Sequence, residues 1–171
     1  MNELDRLIDA YRLRAAASVQ AKLDVLMDIE RIRETRVVPF LLGILDDSYE
    51  AEDVRIYVLK QLRNEAGLLS PSDRLAVARA IGGVLAAPSP ADLRLQAALA
   101  LGELIQVDGV PSLLNEVCIA RSESIDLRYA AFTSLERAGP TPECIELLRR
   151  MSSDEALGRA ARSVLSAWHI E

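Results

Sequence analysis

The sequence predicts an all-α fold, a right-handed α-solenoid of about five helical hairpins stacked side by side. Three observations lead there. One apolar-periodic segment recurs along the chain, and recurrence at a few tens of residues is the mark of a stacked helical array. No stretch alternates with period two for long enough to make a strand. Half of the residues are hydrophobic while only 4% are aromatic, so the core must be Leu, Ala, Val and Ile, which suits close helix packing.

The recurring segment is clearest at Asp92–Leu104, DLRLQAALALGEL. Leu93, Ala97, Ala100, Leu101 and Leu104 fall on one face at 100° per residue, an amphipathic helix whose alanines let a neighbour approach. Copies start at Val19, Val54, Leu93, Leu127 and Leu157, at intervals of 35, 39, 34 and 30 residues.

Taken in order, residues 1–14 carry Leu4, Leu7, Ile8 and Tyr11 on a helical stripe, the first outer helix. Its inner partner runs from about Ser18 to Arg31 with Val19, Leu23, Leu26 and Met27 inward. Residues 35–47 form the next outer helix, with Pro39 tolerated near its first turn. Asp46-Asp47-Ser48 makes a turn and can cap the inner helix at 52–64. Ser70-Pro71-Ser72-Asp73 starts a helix to about Leu85, and Ala87-Pro88-Ser89-Pro90 breaks the chain. The central inner helix spans about 91–106. Asp108-Gly109 turns into an outer helix, VPSLLNEVCIA, and the next inner helix covers 124–138. Gly139-Pro140 ends it; Thr141-Pro142-Glu143 opens an outer helix with Ile145, Leu147, Leu148 and Met151. The last inner helix ends near Trp168. With no long irregular stretch, residues 1–171 read as a single domain.

Composition narrows the function classes. Lys plus Arg is 20 against 26 for Asp plus Glu, and the net charge of −6 disfavours a phosphate backbone as partner. No apolar run of 18 residues exists, so no membrane span is expected. The N-terminus lacks an uninterrupted apolar segment and is not a secretory signal. Cys118 and Cys144 are too few for a disulfide framework, which suggests a cytoplasmic setting.

The pattern Asp-[Val/Leu]-Arg-x-x-Ala-Ala-x-x-Leu, preceded by a Pro-x-Leu-Leu helix, resembles the HEAT repeat. The flavour is the short bacterial one, known from phycobilin lyase subunits. The resemblance is best from about Val37 to Leu135. It implies an Asp–Arg ladder through the stack, using Asp53, Arg55, Asp92, Arg94, Asp126 and Arg128. The end copies depart from it: Gln20 stands at the first Arg position, and Ala156 and Gly158 replace the last pair.

Little in the chain points to chemistry. His169, the one histidine, stands close to the C-terminus with no nucleophile spaced to pair with it, and one imidazole does not make a metal site. Both cysteines fall in outer-helix stripes as small apolar residues. Gly82-Gly83 follows a helical stripe, not the strand a phosphate loop requires. Arg149, Arg150, Arg159 and Arg162 read as a solvated basic face. No catalytic residue, metal or cofactor is expected.

Residues opposite the buried stripe are apolar where polar ones belong. Ile56, Tyr57, Leu95, Leu99 and Tyr129, with Lys60, Gln96, Glu103, Thr133 and Arg137 around them, are expected to line a concave partner-binding face. Exposed apolar patches rimmed by charge mark interaction sites. The expected function is therefore a non-catalytic protein-interaction module that takes a protein or peptide. A bilin-lyase-like enzyme subunit and an immunity-type inhibitor are the alternatives, and oligomeric state is left open.

Overall fold

A computed structural model describes residues 2–13 and 18–171; Met1 and Arg14, which the sequence reading puts at the ends of the first helix, lie outside the described residues. Among the described residues there are ten α-helices and no strand: α1 (Glu3–Leu13), α2 (Val19–Ile29), α3 (Val37–Leu45), α4 (Glu52–Asn64), α5 (Pro71–Ala86), α6 (Ala91–Leu101), α7 (Val110–Ile119), α8 (Ile125–Glu136), α9 (Pro142–Met151) and α10 (Gly158–Ala167). None is long and apolar enough to cross a membrane.

The helix boundaries have local causes. Ser18, Ser124 and Thr141 accept the backbone N–H of Ala21, Leu127 and Cys144, and Ser70 accepts that of Asp73, so hydroxyl caps start α2, α8, α9 and α5. Gly109 and Gly139 adopt positive φ of 89° and 71° at the turns before α7 and α9, a conformation that glycine takes without strain. Asp47 does not cap α4. Its carboxylate accepts Tyr49 N–H at 2.9 Å and shapes the turn, while the α4 N-cap is Ala51 without a side-chain bond. The central helix ends at Leu101, earlier than the sequence predicts, and tightens into a 3₁₀ turn at Gly102–Leu104.

The chain forms two compact units, Met1–Ala80 and Ile81–Glu171. No linker marks the division, because it falls within α5. In the first unit α1 packs on α2, α2 on α4 and α3 on α4. In the second α6 packs on α8, α7 on α8 and α9, and α9 on α10. Val54, Val58, Leu62 and Leu93, Ala97, Leu101 and Ala131, Leu135 are buried, which fixes the helical phase of α4, α6 and α8 as the sequence predicts.

The phase of α2 is different. Lys22, Val25, Leu26 and Ile29 are buried, while Val19 and Met27 are exposed. Ala21, not Val19, is therefore the counterpart of Val54. At the other end Ala161 is buried as Leu127 is, and Arg162 takes the place of Arg128. The corrected starts, Ala21, Val54, Leu93, Leu127 and Ala161, are spaced by 33, 39, 34 and 34 residues, more evenly than the intervals read from sequence.

The new register puts a cation at the second position of each of the five copies: Lys22, Arg55, Arg94, Arg128 and Arg162. Four of them reach back to a main-chain carbonyl within one residue of the end of the preceding helix. Arg55 donates from Nε (3.0 Å) and Nη2 (2.7 Å) to Leu45 O, Arg94 from Nε (3.0 Å) to Leu85 O, and Arg128 from Nε (2.6 Å) to Cys118 O. Arg162 donates to Ser152 O. These carbonyls are among the groups a helix end leaves without an intrahelical donor.

Three of the cations also reach forward, to an acid in the loop before the next inner helix. Lys22 meets Glu50 at 2.7 Å, Arg94 grips Glu123 with two bonds of 2.7 Å, and Arg128 meets Asp154 at 2.8 Å. The ladder thus exists, but with other carboxylates than expected. Asp53, Asp92 and Asp126 are exposed and, among the described residues, make no side-chain bond or ion pair. They lie in the first turns of α4, α6 and α8, where a negative charge is favoured by the helix dipole. Glu50 and Glu123 stand three residues before Asp53 and Asp126 and take their expected place. Burial would raise the carboxyl of Glu50, but bonds from Lys22 and the Tyr11 hydroxyl outweigh it and hold it below its ordinary value. Arg94 lowers Glu123 likewise.

Candidate partner-binding surface

The expected surface residues lie on three helices, and each unit is described by itself. In the first unit, Ile56 and Tyr57 on α4 are half-buried and Lys60 is exposed. The Tyr57 hydroxyl donates to Glu30, just past the end of α2; burial and this carboxylate both push the phenol well above its ordinary value. The corrected register adds two residues that the sequence reading had turned inward. Leu23 corresponds to Ile56, and Met27, 49% exposed, corresponds to Lys60. Leu23 and Ile56 thus hold equivalent positions on the packed pair α2 and α4, as do Met27 and Lys60.

In the second unit, Leu95, Gln96 and Leu99 on α6 are half-buried, and Tyr129 (43% exposed) and Thr133 on α8 are open. Ile125, 48% exposed, precedes Tyr129 by one turn on the same face. The sequence reading missed it because Ile125 stands at the very start of its helix, before the repeat begins.

Two direct ties hold α6 and α8 in register beside this face. The Ser134 hydroxyl donates to Ala98 O at 2.7 Å. That carbonyl is available because the Gly102 N–H bonds to residues nearer than four back as the helix tightens. Arg137 pairs with Glu103 at 2.6 Å. Glu103 and Arg137 are therefore engaged with each other, a closed polar edge to the apolar strip. Gly102 permits the approach: a Cβ there would lie 2.9 Å from Ser134 Oγ and 3.2 Å from Arg137 Cδ. Tyr129 is steadied by donating to Ala156 O at 3.2 Å while remaining exposed.

The remaining reactive residue types are placed as follows. Cys118 and Cys144 are buried, with thiols bonded to Arg128 O and Leu135 O. Burial pushes Cys118 up to about 12 and Cys144 up to about 11, far from the thiolate that nucleophilic chemistry needs. His169 is exposed, in the left-handed region at φ 60°. Among the described residues no group of three His, Cys, Asp or Glu side chains is placed to hold a metal. A cavity of about 540 Å³ in the first unit is lined by Val37, Val38, Leu68 and Leu69 together with Arg33, Glu65, Ser70 and Asp73; the Ser70 hydroxyl there is engaged as the cap of α5. Asp53, Arg55, Asp92, Arg94, Asp126 and Arg128 stand apart from the apolar strips: the arginines bond back to the ends of the preceding helices, and the aspartates lie exposed in the first turns of α4, α6 and α8. No family model matches the chain, and no curated protein or solved structure matches it.

Proposed function

We propose that the chain is a HEAT-type helical-repeat protein, a right-handed solenoid that binds a protein or peptide partner on the exposed faces of its inner helices and carries out no catalysis. The observation that carries this reading is the apolar strip on α6 and α8, where Leu95, Leu99, Ile125 and Tyr129 are partly or well exposed beside a fully buried core. A strip of this kind, fixed on rigid helices with a tyrosine at its centre, is where interface energy concentrates. The recurrent cation register supports the repeat reading, since four of its five cations bond back to the end of the preceding helix and three pair with an acid ahead. The burial of both thiols supports a binding role over a chemical one.

The test is a pull-down from native lysate followed by calorimetry with the captured partner. Tyr129→Ala and Leu99→Ser are each expected to weaken binding by more than about 1 kcal/mol while leaving the melting temperature nearly unchanged. A large drop in melting temperature with unchanged affinity of the folded fraction would make these core residues and remove the interface.

A further inference from the structure

The cation ladder ends at Arg162, and there it differs from the rungs before it. Arg94 and Arg128 each divide their guanidinium between a carbonyl behind and a carboxylate ahead. Arg55 spends both Nε and Nη2 on Leu45 O and is buried. Arg162 makes the backward bond through Nη1, to Ser152 O, and among the described residues its Nε and Nη2 have no partner. Unlike Arg55 it is exposed.

Arg162 also opens onto a cavity of about 450 Å³. Arg149 lies on the same cavity, Ser152 and Ser166 add hydroxyls, Leu165 and Ile170 add apolar surface, and Glu171 is the one acid in the lining, set against two arginines. The Ser152 hydroxyl donates to Leu148 O at 2.9 Å and keeps its lone pairs for a donor, while Arg149 donates one bond to the main chain of Glu171 at the rim. Two guanidiniums with unused N–H groups facing one cavity suit an anion, and the planar fork of arginine suits a carboxylate best.

The filled rungs show which anion the position takes. At Arg128 the guest is Asp154, whose Oδ1 accepts the backbone N–H of Ala156 (2.8 Å) and Leu157 (3.0 Å) while Oδ2 faces the guanidinium. One side of the carboxylate organises its own turn and the other meets the arginine. At Arg94 the guest is Glu123, also in a loop that leads into a helix. We infer that Arg162, with Arg149, is a docking site for an acidic loop of a partner protein: a peptide turn that presents an Asp or Glu ahead of a helix, as residues 152–157 present Asp154 to Arg128. The site lies on α9 and α10 and is separate from the apolar strip on α6 and α8, so either can hold if the other fails.

A peptide with the sequence of residues 152–157, Ser-Ser-Asp-Glu-Ala-Leu, blocked at both ends, is the probe. It is titrated into the full chain, with the methyl resonances of Leu165 and the Nε–H of Arg162 observed by NMR. The expected result is a saturable displacement of both, weakened at least tenfold when the peptide's aspartate is replaced by asparagine and lost in Arg162→Gln. The asparagine peptide leaves the protein untouched, so the question is answered even if Arg162→Gln does not fold. Equal responses to the two peptides, no displacement at Leu165 and Arg162, or retained binding by Arg162→Gln would overturn the site. An equal response to succinate or inorganic phosphate at the same concentration would overturn the peptide as its ligand.

Discussion

The α2–α4 junction of the first unit and the α6–α8 junction of the second stack the same two kinds of helix, yet polar groups are handled in opposite ways. In the second unit Ser134 stands seven residues into the repeat, and its hydroxyl finds Ala98 O. The same position in the first unit holds Gln61, 3% exposed, and among the described residues neither its Oε1 nor its Nε2 has a partner. The ladder cations contrast in the other direction. Lys22 and Glu50 are almost wholly buried, with side chains 11% and 7% exposed, and the Tyr11 ring and hydroxyl close over them. Arg94 and Glu123 are about twice as open or more. A short hydroxyl can be satisfied by a neighbouring helix's spare carbonyl, whereas a long amide in the same narrow seam cannot. A buried charge, in turn, is kept only where its partner is buried with it.

The largest effect that would break this comparison is at Lys22. Lys22→Met leaves Glu50 buried without its counter-charge and should cost about 3 kcal/mol of stability, as removing one member of a buried pair does. Arg94→Met should cost about 1–2 kcal/mol, because Glu123 can turn to water. Equal losses in urea titrations would mean that burial does not separate the two pairs. Next comes Ser134→Ala, which leaves Ala98 O without its donor and should destabilise by about 1 kcal/mol. Gln61→Leu should act with the opposite sign and stabilise by about 1 kcal/mol, since two unmet polar atoms leave the interior. A loss of stability there would show that the amide meets a bound water. The smallest effect is Asp126→Asn, worth only a few tenths of a kcal/mol through the helix dipole, checked by thermal melting at low salt. A loss as large as that of Arg94→Met would return Asp126 to the ladder.

These contrasts also mark what could be read from the residues alone. The buried stripes of α4, α6 and α8 were legible because each opens on a large aliphatic residue, Val54, Leu93 or Leu127, with further apolar residues at helical spacing after it. That of α2 was not, because it opens on Ala21 and Lys22. Val19, Leu23, Leu26 and Met27 give an equally periodic and more hydrophobic pattern in the wrong phase. The last copy was misplaced for a similar reason, since Leu157 is buried but precedes its helix. The ladder's carboxylates were hidden by distance. Asp and Arg two residues apart point to different sides of a helix, and the acids that replace them lie 26 to 29 residues beyond the cations, in loops without a repeating pattern. On the candidate surface, Leu95, Leu99 and Tyr129 followed from phase alone. Ile125 and Met27 needed the true helix starts.

The contact between Gly102 and Ser134 limits how such a chain can grow. A new hairpin arising by duplication must meet its neighbours through whatever stands at these two places. Counted from the repeat starts, Gly102's place holds Arg63 in α4 and Glu136 in α8, and Ser134's place holds Gln61 in α4 and Ala100 in α6. Only the α6–α8 pair combines a residue without a side chain and a short hydroxyl. A copy of α6 set against α4 would face a long amide, and a copy of α8 set against itself would bring a glutamate into a gap that here admits no Cβ. The α6–α8 contact is therefore keyed to this one pair of helices, so within the second unit their order along the chain is itself part of the information that specifies the fold.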